Sequence, residues 1–231
     1  MRFYLGTPGS VAQAQVVVDA QMPVLVSFGA ASPWIYRNYM AAFTSGLLID
    51  SGAYSELAGA ATVDIGKYRE HVARHCDVAD ACAGLDDIRG DWKRSLANYE
   101  AIPETFPTFH DTDPPELLPE LIAMAQERNR WLGLGVLPPR SGKGGWLRAT
   151  LERIPADIHV HGWALGAYRQ HRRMNSVDST NWFRDALKML TLPLLKHLTP
   201  VEALRLVVLR YQRMATPSEC VVDLPLFAVQ P

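Results

Sequence analysis

The chain has 231 residues, of which 48% are hydrophobic and 20% are charged. This composition is typical of one globular domain and excludes a disordered or low-complexity chain. The formal net charge of −1 excludes a general electrostatic attraction to nucleic acid, so any such binding must come from a local basic face. The three cysteines, Cys76, Cys82 and Cys220, include no Cys-x-x-Cys pair, which favours reduced thiols over a disulfide framework.

Hydropathy along the chain predicts a soluble, cytoplasmic protein. The apolar N-terminal residues give way to polar ones at Thr7, before a signal-peptide core could form. No apolar run approaches the roughly 20 residues that are needed to span a bilayer. We therefore expect no association with a membrane.

Apolar runs bounded by glycine, proline or polar residues predict eight buried β-strands. They cover residues 2–7, 23–29, 46–53, 78–85, 105–110, 131–136, 157–163 and 174–178. The fifth run contains Pro107, which is unusual because proline cannot donate a hydrogen bond to a β-ladder.

Apolar residues at helical spacing, with start signals such as Ser32-Pro33, predict helices between and after the strands. They cover residues 11–21, 32–43, 64–75, 92–101, 116–128, 146–153, 183–195 and 200–214. Regular alternation of strand and helix calls for a parallel sheet, and about eight units predict a single α/β domain, a (β/α)₈ barrel of the TIM type. Its core is expected at about 2–190, followed by a C-terminal helical extension and tail at 191–231. An open doubly wound sheet is the alternative, but it usually has fewer strands.

Polar side chains follow most of the predicted strands at the point where each strand ends. Because a TIM barrel carries its active site at the carboxyl ends of its strands, these side chains should surround one mouth. The strand ends present Asp50 and Ser51, Asp86 and Asp87, His110, His161 and Trp163, and Asp178, and the sixth strand presents Gly133 and Gly135, which have no side chain. Three acids at one mouth suit either divalent metal binding or chemistry at an anomeric carbon. His159-x-His161 resembles a pair of metal ligands, but no third ligand has the usual spacing, so we expect no metal and no cofactor.

Four short segments resemble the tRNA-guanine transglycosylases. Residues 48–55 look like their Asp-Ser-Gly-Gly-Phe segment, 85–87 resemble their Phe-Asp-Glu base-recognition acid, and 133–136 resemble their glycine-rich strand. Residues 177–179 are similar to the Phe-Asp-Ser that carries the nucleophile of the archaeal branch. The chain is shorter than those tRNA enzymes and lacks their cysteine-rich zinc site, since Cys220 stands alone. It therefore looks more like the small DpdA-type relatives, which place 7-deazaguanine bases such as preQ0 into DNA.

The resemblance implies a base-exchange reaction on a flipped guanine nucleotide. Asp178 would attack C1′ to form a covalent aspartyl-sugar intermediate, and Asp50 would transfer protons to and from the bases. Asp86 and Asp87 would recognise the purine, and the glycine-rich strand would let the flat base approach the backbone. The full set of expected substrate-binding residues is Ser51, Tyr54, Asp86, Asp87, His110, Gly133, Leu134, Gly135, His161 and Trp163.

The expected partners are a free 7-deazaguanine base and a nucleic acid, with DNA favoured over tRNA. Basic residues beside Asp178 in sequence, and in the loop after the sixth strand, would contact the phosphates; they are Arg169, Arg172, Arg173, Arg140 and Lys143. The apolar tail at 221–227 could pack outside the barrel or form a homodimer. The alternatives are hydrolysis of a nucleoside or other N-glycoside, a queuine-type exchange on tRNA, metal-dependent hydrolysis, and a barrel that only binds a partner.

Overall fold

Strands and helices alternate along the computed structural model of the chain, and the strands form one parallel sheet. The structure describes residues 1–57, 59, 62–137, 143–165 and 171–215. Outside the described residues lie two predicted phosphate contacts, Arg140 and Arg169, as well as Cys220 and the apolar tail at 221–227.

The sheet runs in the order β5-β4-β3-β2-β1-β9-β8-β7-β6, and every neighbouring pair is parallel. The strands are β1 (Arg2–Leu5), β2 (Val24–Ser27), β3 (Leu47–Asp50), β4 (Ala81–Ala83), β5 (Thr105–Phe106), β6 (Thr108–His110), β7 (Trp131–Gly135), β8 (His159–Trp163) and β9 (Ser176–Ser179).

The two ends of this sheet, β5 and β6, are halves of one stretch of chain that is interrupted at Pro107. β4 pairs with the first half and β7 with the second, so the stretch closes the sheet into a barrel of eight strand positions. Pro107 supplies no N–H, but its carbonyl accepts a hydrogen bond from the N–H of Gly133 at 2.9 Å. The predicted TIM-type barrel is therefore confirmed.

A tyrosine side chain completes the barrel beside this closing strand. The hydroxyl of Tyr99 donates to the carbonyl of Thr108 at 3.3 Å and accepts from the N–H of Thr108 at 3.2 Å, at a place where β4 no longer pairs with the strand. Gly84 makes room for it, because a Cβ there would lie 2.3 Å from the Tyr99 ring.

The helices cover the outside of the barrel. They are α1 (Val11–Asp19), α2 (Pro33–Asn38), a 3₁₀ turn (Met40–Ala42), α3 (Ala53–Leu57), α4 (Ile65–His75), α5 (Trp92–Ala101), α6 (Leu117–Glu127), α7 (Gly144–Arg153), α8 (Trp182–Leu190) and α9 (Pro200–Ala215). Ser10, Asp64 and Asp91 each accept an N-cap hydrogen bond from a main-chain N–H, which fixes three of the starts.

Several predicted boundaries are wrong by two or more residues, among them the end of the third strand and the end of α8. The third strand ends at Asp50 and α3 begins at Ala53, whereas the strand was expected to continue to residue 53. Helix α8 ends at Leu190, whereas 195 was expected. Pro193 explains the second difference, since proline lacks the N–H that would extend the helix.

The apolar residues form two separate cores. The larger core lies between the sheet and the helices, and the smaller one fills the barrel interior with Tyr4, Leu25, Leu48, Ala81, Ala83 and Phe106, flanked by Trp131 and Trp163. Helix α9 packs against α1 and α8 and so extends the outer layer. Among the described helices, none is long and apolar enough to cross a membrane.

Candidate active site

A pocket of about 820 Å³ opens at the carboxyl ends of the strands. The loops after β1, β2, β3, β4, β7, β8 and β9 form its base and sides, and α8 and α9 form one wall. Asp50, Asp86 and Asp178, predicted from three separate strands, all line it. The structure thus brings the three acids together at one mouth.

Asp178 lies near the end of β9 and is only 7% exposed. Its Oδ1 accepts a hydrogen bond from the N–H of Ala164 at 2.7 Å, and within the described residues Oδ2 has no hydrogen-bond partner. Ala164 has φ of +52°, a left-handed conformation that non-glycine residues rarely adopt and that clusters at functional sites. The turn after β8 is therefore held in a costly conformation that directs an N–H at the Asp178 carboxylate.

Asp50 ends β3 and is half-buried. The pKa of its carboxyl is raised to about 6, because burial and the negative charges of Asp86 and Asp178 outweigh the hydrogen bonds from the Ser27 hydroxyl and the Gly52 N–H, which lower it. Gly52 has φ of +87°, and a Cβ there would lie 2.6 Å from the N of Gly29, so the turn after Asp50 requires glycine. Asp50 can therefore hold or release a proton near neutral pH.

Asp86 is paired with His110, a contact that sequence reasoning missed. Nε2 of His110 lies 2.5 Å from Oδ2 of Asp86, and the main-chain N–H of His110 donates to Asp113 at 2.7 Å. Burial opposes the imidazolium, but the hydrogen bond and charge of Asp86 outweigh it and raise the pKa of His110. A Cβ at Gly135 would lie 2.3 Å from Nδ1 of His110, so this glycine makes room for the pair.

Trp163 forms the floor of the pocket. Its Nε1 donates to Oγ1 of Thr108 at 3.0 Å, and its ring lies parallel to that of Phe106 at 6.0 Å. A Cβ at Gly133 would lie 2.5 Å from both Trp163 Nε1 and Thr108 Oγ1. The packing of Trp163 and Thr108 therefore explains why position 133 needs a glycine. From the sequence, this glycine was expected to let a base approach the backbone.

The other predicted substrate contacts divide between the pocket and the packed interior. Tyr54 is 54% exposed and lines the mouth. Ser51 is buried, and its hydroxyl accepts from the N–H of Ala53 at 3.4 Å. His161 is fully buried and does not line the pocket among the described residues; it lies beneath Trp163, 4.5 Å away between ring centroids.

The structure places two of the predicted contact residues outside this pocket. Leu134 points to the opposite side of β7 from the two glycines and is buried in the core beneath the helices. Asp87 turns away from the pocket, since its carboxylate pairs with Arg94 at 3.2 Å and accepts from the N–H of Arg89 at 2.9 Å.

The structure also places Arg172 and Arg173, which were predicted to contact phosphates, away from the mouth. Both residues precede β9 and so lie at the amino end of the barrel, while Asp178 is at the carboxyl end. The Arg173 guanidinium donates to the carbonyls of Ile154 and Pro155 at 3.1 and 2.8 Å. Lys143 is on the side of the mouth, but it pairs with the buried Asp111 at 2.7 Å.

Arginines that sequence reasoning missed line the wall of the pocket instead. Arg184 lies in the first turn of α8, where it donates to the side chain of Asn181, and Arg210 projects from α9. The two helices are joined at this wall by the Tyr211 hydroxyl, which donates to Asp185 at 2.9 Å. The sequence feature that could have identified Arg184 was its position one helical turn after the last strand.

Comparisons with known proteins support the fold only. In the described part of the chain, no group of three or more His, Cys, Asp or Glu side chains is arranged to hold a metal ion. No protein-family model matches the chain, and no curated protein matches its sequence. The chain is similar to a solved structure provisionally assigned as a fructose-1,6-biphosphate aldolase from Coccidioides immitis, with 13% identity and a TM-score of 0.59 over 93% of this chain and 91% of that one. At this identity the likeness shows a shared TIM-type barrel.

Proposed function

We propose that the chain is a transglycosylase that exchanges guanine for a 7-deazaguanine base in a polynucleotide. The observation that carries the proposal is the set of three acids at one mouth, each in a different chemical setting. Asp178 is oriented by a main-chain N–H, Asp50 has a pKa raised to about 6, and Asp86 is paired with His110. Carboxyl groups whose surroundings separate their proton affinities can divide nucleophilic and acid–base roles.

In the first half of the reaction, Oδ2 of Asp178 attacks C1′ and the bond to guanine breaks. Protonated Asp50 gives its proton to the departing base, so that the base leaves neutral and Asp50 becomes a carboxylate. In the second half, Asp50 removes a proton from the ring nitrogen of the incoming 7-deazaguanine. That nitrogen attacks C1′ and releases the Asp178 carboxylate.

Base recognition falls to the opposite side of the mouth. The Asp86 carboxylate can accept hydrogen bonds from the ring N–H and the amino group of guanine, which adenine cannot offer in the same arrangement. The Asp86–His110 contact fixes one carboxylate oxygen and so limits how that carboxylate turns. Trp163 below and Tyr54 at the rim offer aromatic surfaces for the base.

The polynucleotide must present its nucleotide outside the stack, because C1′ is not accessible to Asp178 within a duplex. A pocket of about 820 Å³ is large enough for a whole nucleotide. Arg184 and Arg210 on the wall supply positive charge on the outer side of the acids. The preference for DNA over tRNA rests on the resemblance of the short chain to the DpdA-type relatives.

The test is incorporation of labelled guanine or preQ0 into DNA and into tRNA by the purified chain. We expect incorporation into DNA, and a loss of about 10³-fold or more in Asp178→Asn. The matched control is Asp87→Asn, because Asp87 is also an acid at the mouth end but is engaged by Arg94; it should retain activity. Incorporation that survives Asp178→Asn would remove the nucleophile assignment.

Hydrolysis is the competing outcome of the same experiment. Asp50, with its pKa near 6, could equally activate water as the acceptor. Release of free guanine without incorporation of any base would replace exchange by N-glycoside hydrolysis, and incorporation into tRNA alone would change the acceptor.

A further inference from the structure

Three polar side chains form a column inside the barrel beneath the floor of the pocket. Oγ of Ser176 lies 2.7 Å from Nε2 of His159 and 2.9 Å from Nδ1 of His161. Ser176 and His161 are fully buried. The roles proposed above for the reaction use none of the three.

The upper end of the column faces the proposed nucleophile. Nε2 of His161 lies 3.6 Å from Oδ1 of Asp178, too far for a hydrogen bond, and it has no other partner among the described residues. The ring cannot turn away easily, because Tyr4 and Trp163 contact it edge-on, with centroids 5.9 and 4.5 Å away. A buried ring nitrogen is thus aimed at the oxygen that the Ala164 N–H also holds.

The Ser176 hydroxyl determines where the ring protons lie. It has a single proton, so it can donate to only one of the two imidazoles and must accept from the other. Burial lowers the pKa of His159 to about 4, so at neutral pH this ring carries one proton, which Nε2 can donate to Ser176. The hydroxyl is then free to donate to Nδ1 of His161, which leaves the proton of a neutral His161 on Nε2.

We propose that His161 is a positioning residue for Asp178, with an Nε2–H that Ser176 directs at Oδ1 so that Oδ2 faces the substrate. A bare Nε2 lone pair would repel the carboxylate, whereas an N–H attracts it. This inference rests on the proposed function only in that Asp178 is the nucleophile.

The N–H matters most when the covalent intermediate breaks down. Once Oδ2 is bonded to C1′, Oδ1 is the carbonyl oxygen of an ester. As the incoming base displaces Asp178, negative charge returns to both carboxylate oxygens, and the N–H groups of His161 and Ala164 stabilise it at Oδ1. Loss of the column should therefore slow the second half of the reaction more than the first.

The first test is the protonation pattern of His161 by ¹⁵N nuclear magnetic resonance, with the signal assigned from its absence in His161→Gln. We expect a proton on Nε2 in the wild type and a shift towards the Nδ1–H tautomer in Ser176→Ala and Asp178→Asn. A wild-type ring with a bare Nε2 overturns the inference. This measurement needs no turnover, so an inactive chain that carries the Nε2 proton counts against the proposed function, while the orientation of the Asp178 carboxylate by His161 still stands.

The second test is kinetic. Ser176→Ala should lower kcat by about 10-fold, with KM unchanged or lower, and the glycosyl adduct should accumulate in the intact-protein mass spectrum. The control is Thr105→Val, which removes another buried hydroxyl that bonds only the carbonyl of Ile102 in the described structure; it should show no adduct. Wild-type kcat and no adduct in Ser176→Ala would contradict the positioning role. That result is what the loss of a purely structural hydroxyl would give.

Discussion

The two ends of the barrel both hold charged side chains, but they hold them differently. At the amino end, Arg2 pairs with Asp80 at 2.8 Å, and the hydroxyl of the buried Tyr4 donates to the same carboxylate at 2.8 Å. At the carboxyl end, Asp50, Asp86 and Asp178 surround one pocket, and burial together with the charges of Asp86 and Asp178 raises the pKa of Asp50. One end combines opposite charges, while the other gathers like charges.

This difference separates stability from chemistry. A carboxylate with an ion-pair partner and a buried hydroxyl donor stabilises the fold, and removing it leaves the donor without an acceptor. A carboxylate among other carboxylates is destabilised when charged, which is typical of groups at functional sites. The comparison predicts opposite responses to substitution at the two ends.

Asp50→Asn gives the largest expected change in stability. Its folded-state pKa of about 6 lies above the ordinary 3.8, so the folded chain binds this proton more tightly than the unfolded chain. Stability should therefore fall as the pH rises from about 4 to about 6 and stay low above that. Asparagine removes this charge, so the free energy of unfolding should rise by up to about 3 kcal/mol at pH 7.5 and little at pH 4, while base exchange is lost.

Chemical denaturation at both pH values measures this effect. Asp87→Asn is the control, because its carboxylate is paired with Arg94 and should give no stabilisation at pH 7.5. Equal stability of wild type and Asp50→Asn at pH 7.5 would break the contrast between the two ends.

Asp80→Ala should have the opposite effect at the amino end. It leaves the buried Tyr4 hydroxyl without its carboxylate acceptor, so the free energy of unfolding should fall by about 1–3 kcal/mol, while base exchange per folded molecule is unchanged. Tyr4→Phe removes the donor itself. The double variant should therefore lose less stability than the sum of the losses in the two single variants. Full additivity would show that the Tyr4–Asp80 contact does not stabilise the fold.

The smallest expected effect concerns nucleic-acid affinity. Replacing Arg184 and Arg210 by alanine should reduce the slope of log affinity against log salt by about 1–2, because both line the pocket wall. The same change at Arg172 and Arg173 should leave the slope unaltered, since these residues are at the amino end. A reversed result would place the polyanion at the amino end of the barrel.

The sequence was sufficient for the fold because hydropathy and turn residues are local properties. Alternating strands and helices placed Asp50, Asp86 and Asp178 at strand ends, and barrel geometry then brought them to one mouth. Two residues were expected at the mouth because proximity along the chain was taken as proximity in space, and the structure places both elsewhere. Arg173 is close to Asp178 in sequence, but strand β9 separates them. Leu134 lies between two glycines, yet alternation along a strand turns it to the opposite face.

Other features depend on information that no local pattern contains. The His110–Asp86 pair joins the end of β6 to the loop after β4, and their approach depends on sheet register and loop geometry. The His159–Ser176–His161 column needs the pairing of β8 with β9 as well as the inward side of both strands. Asp87 differs from its neighbour Asp86 in the direction of its side chain: Arg94 of the following helix donates to the Asp87 carboxylate, and the Ser95 hydroxyl accepts from the Asp87 main-chain N–H.

The junction between β4 and the strand interrupted at Pro107, here called the seam, affects the motions of the barrel. β4 and β5 share two paired positions, compared with five for β7 and β8, and beyond them the main chain of Thr108 is held on that side by the Tyr99 hydroxyl. The free energy of local opening should therefore be lower at this seam than between β7 and β8, and amide hydrogens there should exchange before those of β8. Because β6 ends at His110, the partner of Asp86, local opening at the seam also disturbs the proposed base-recognition side of the mouth.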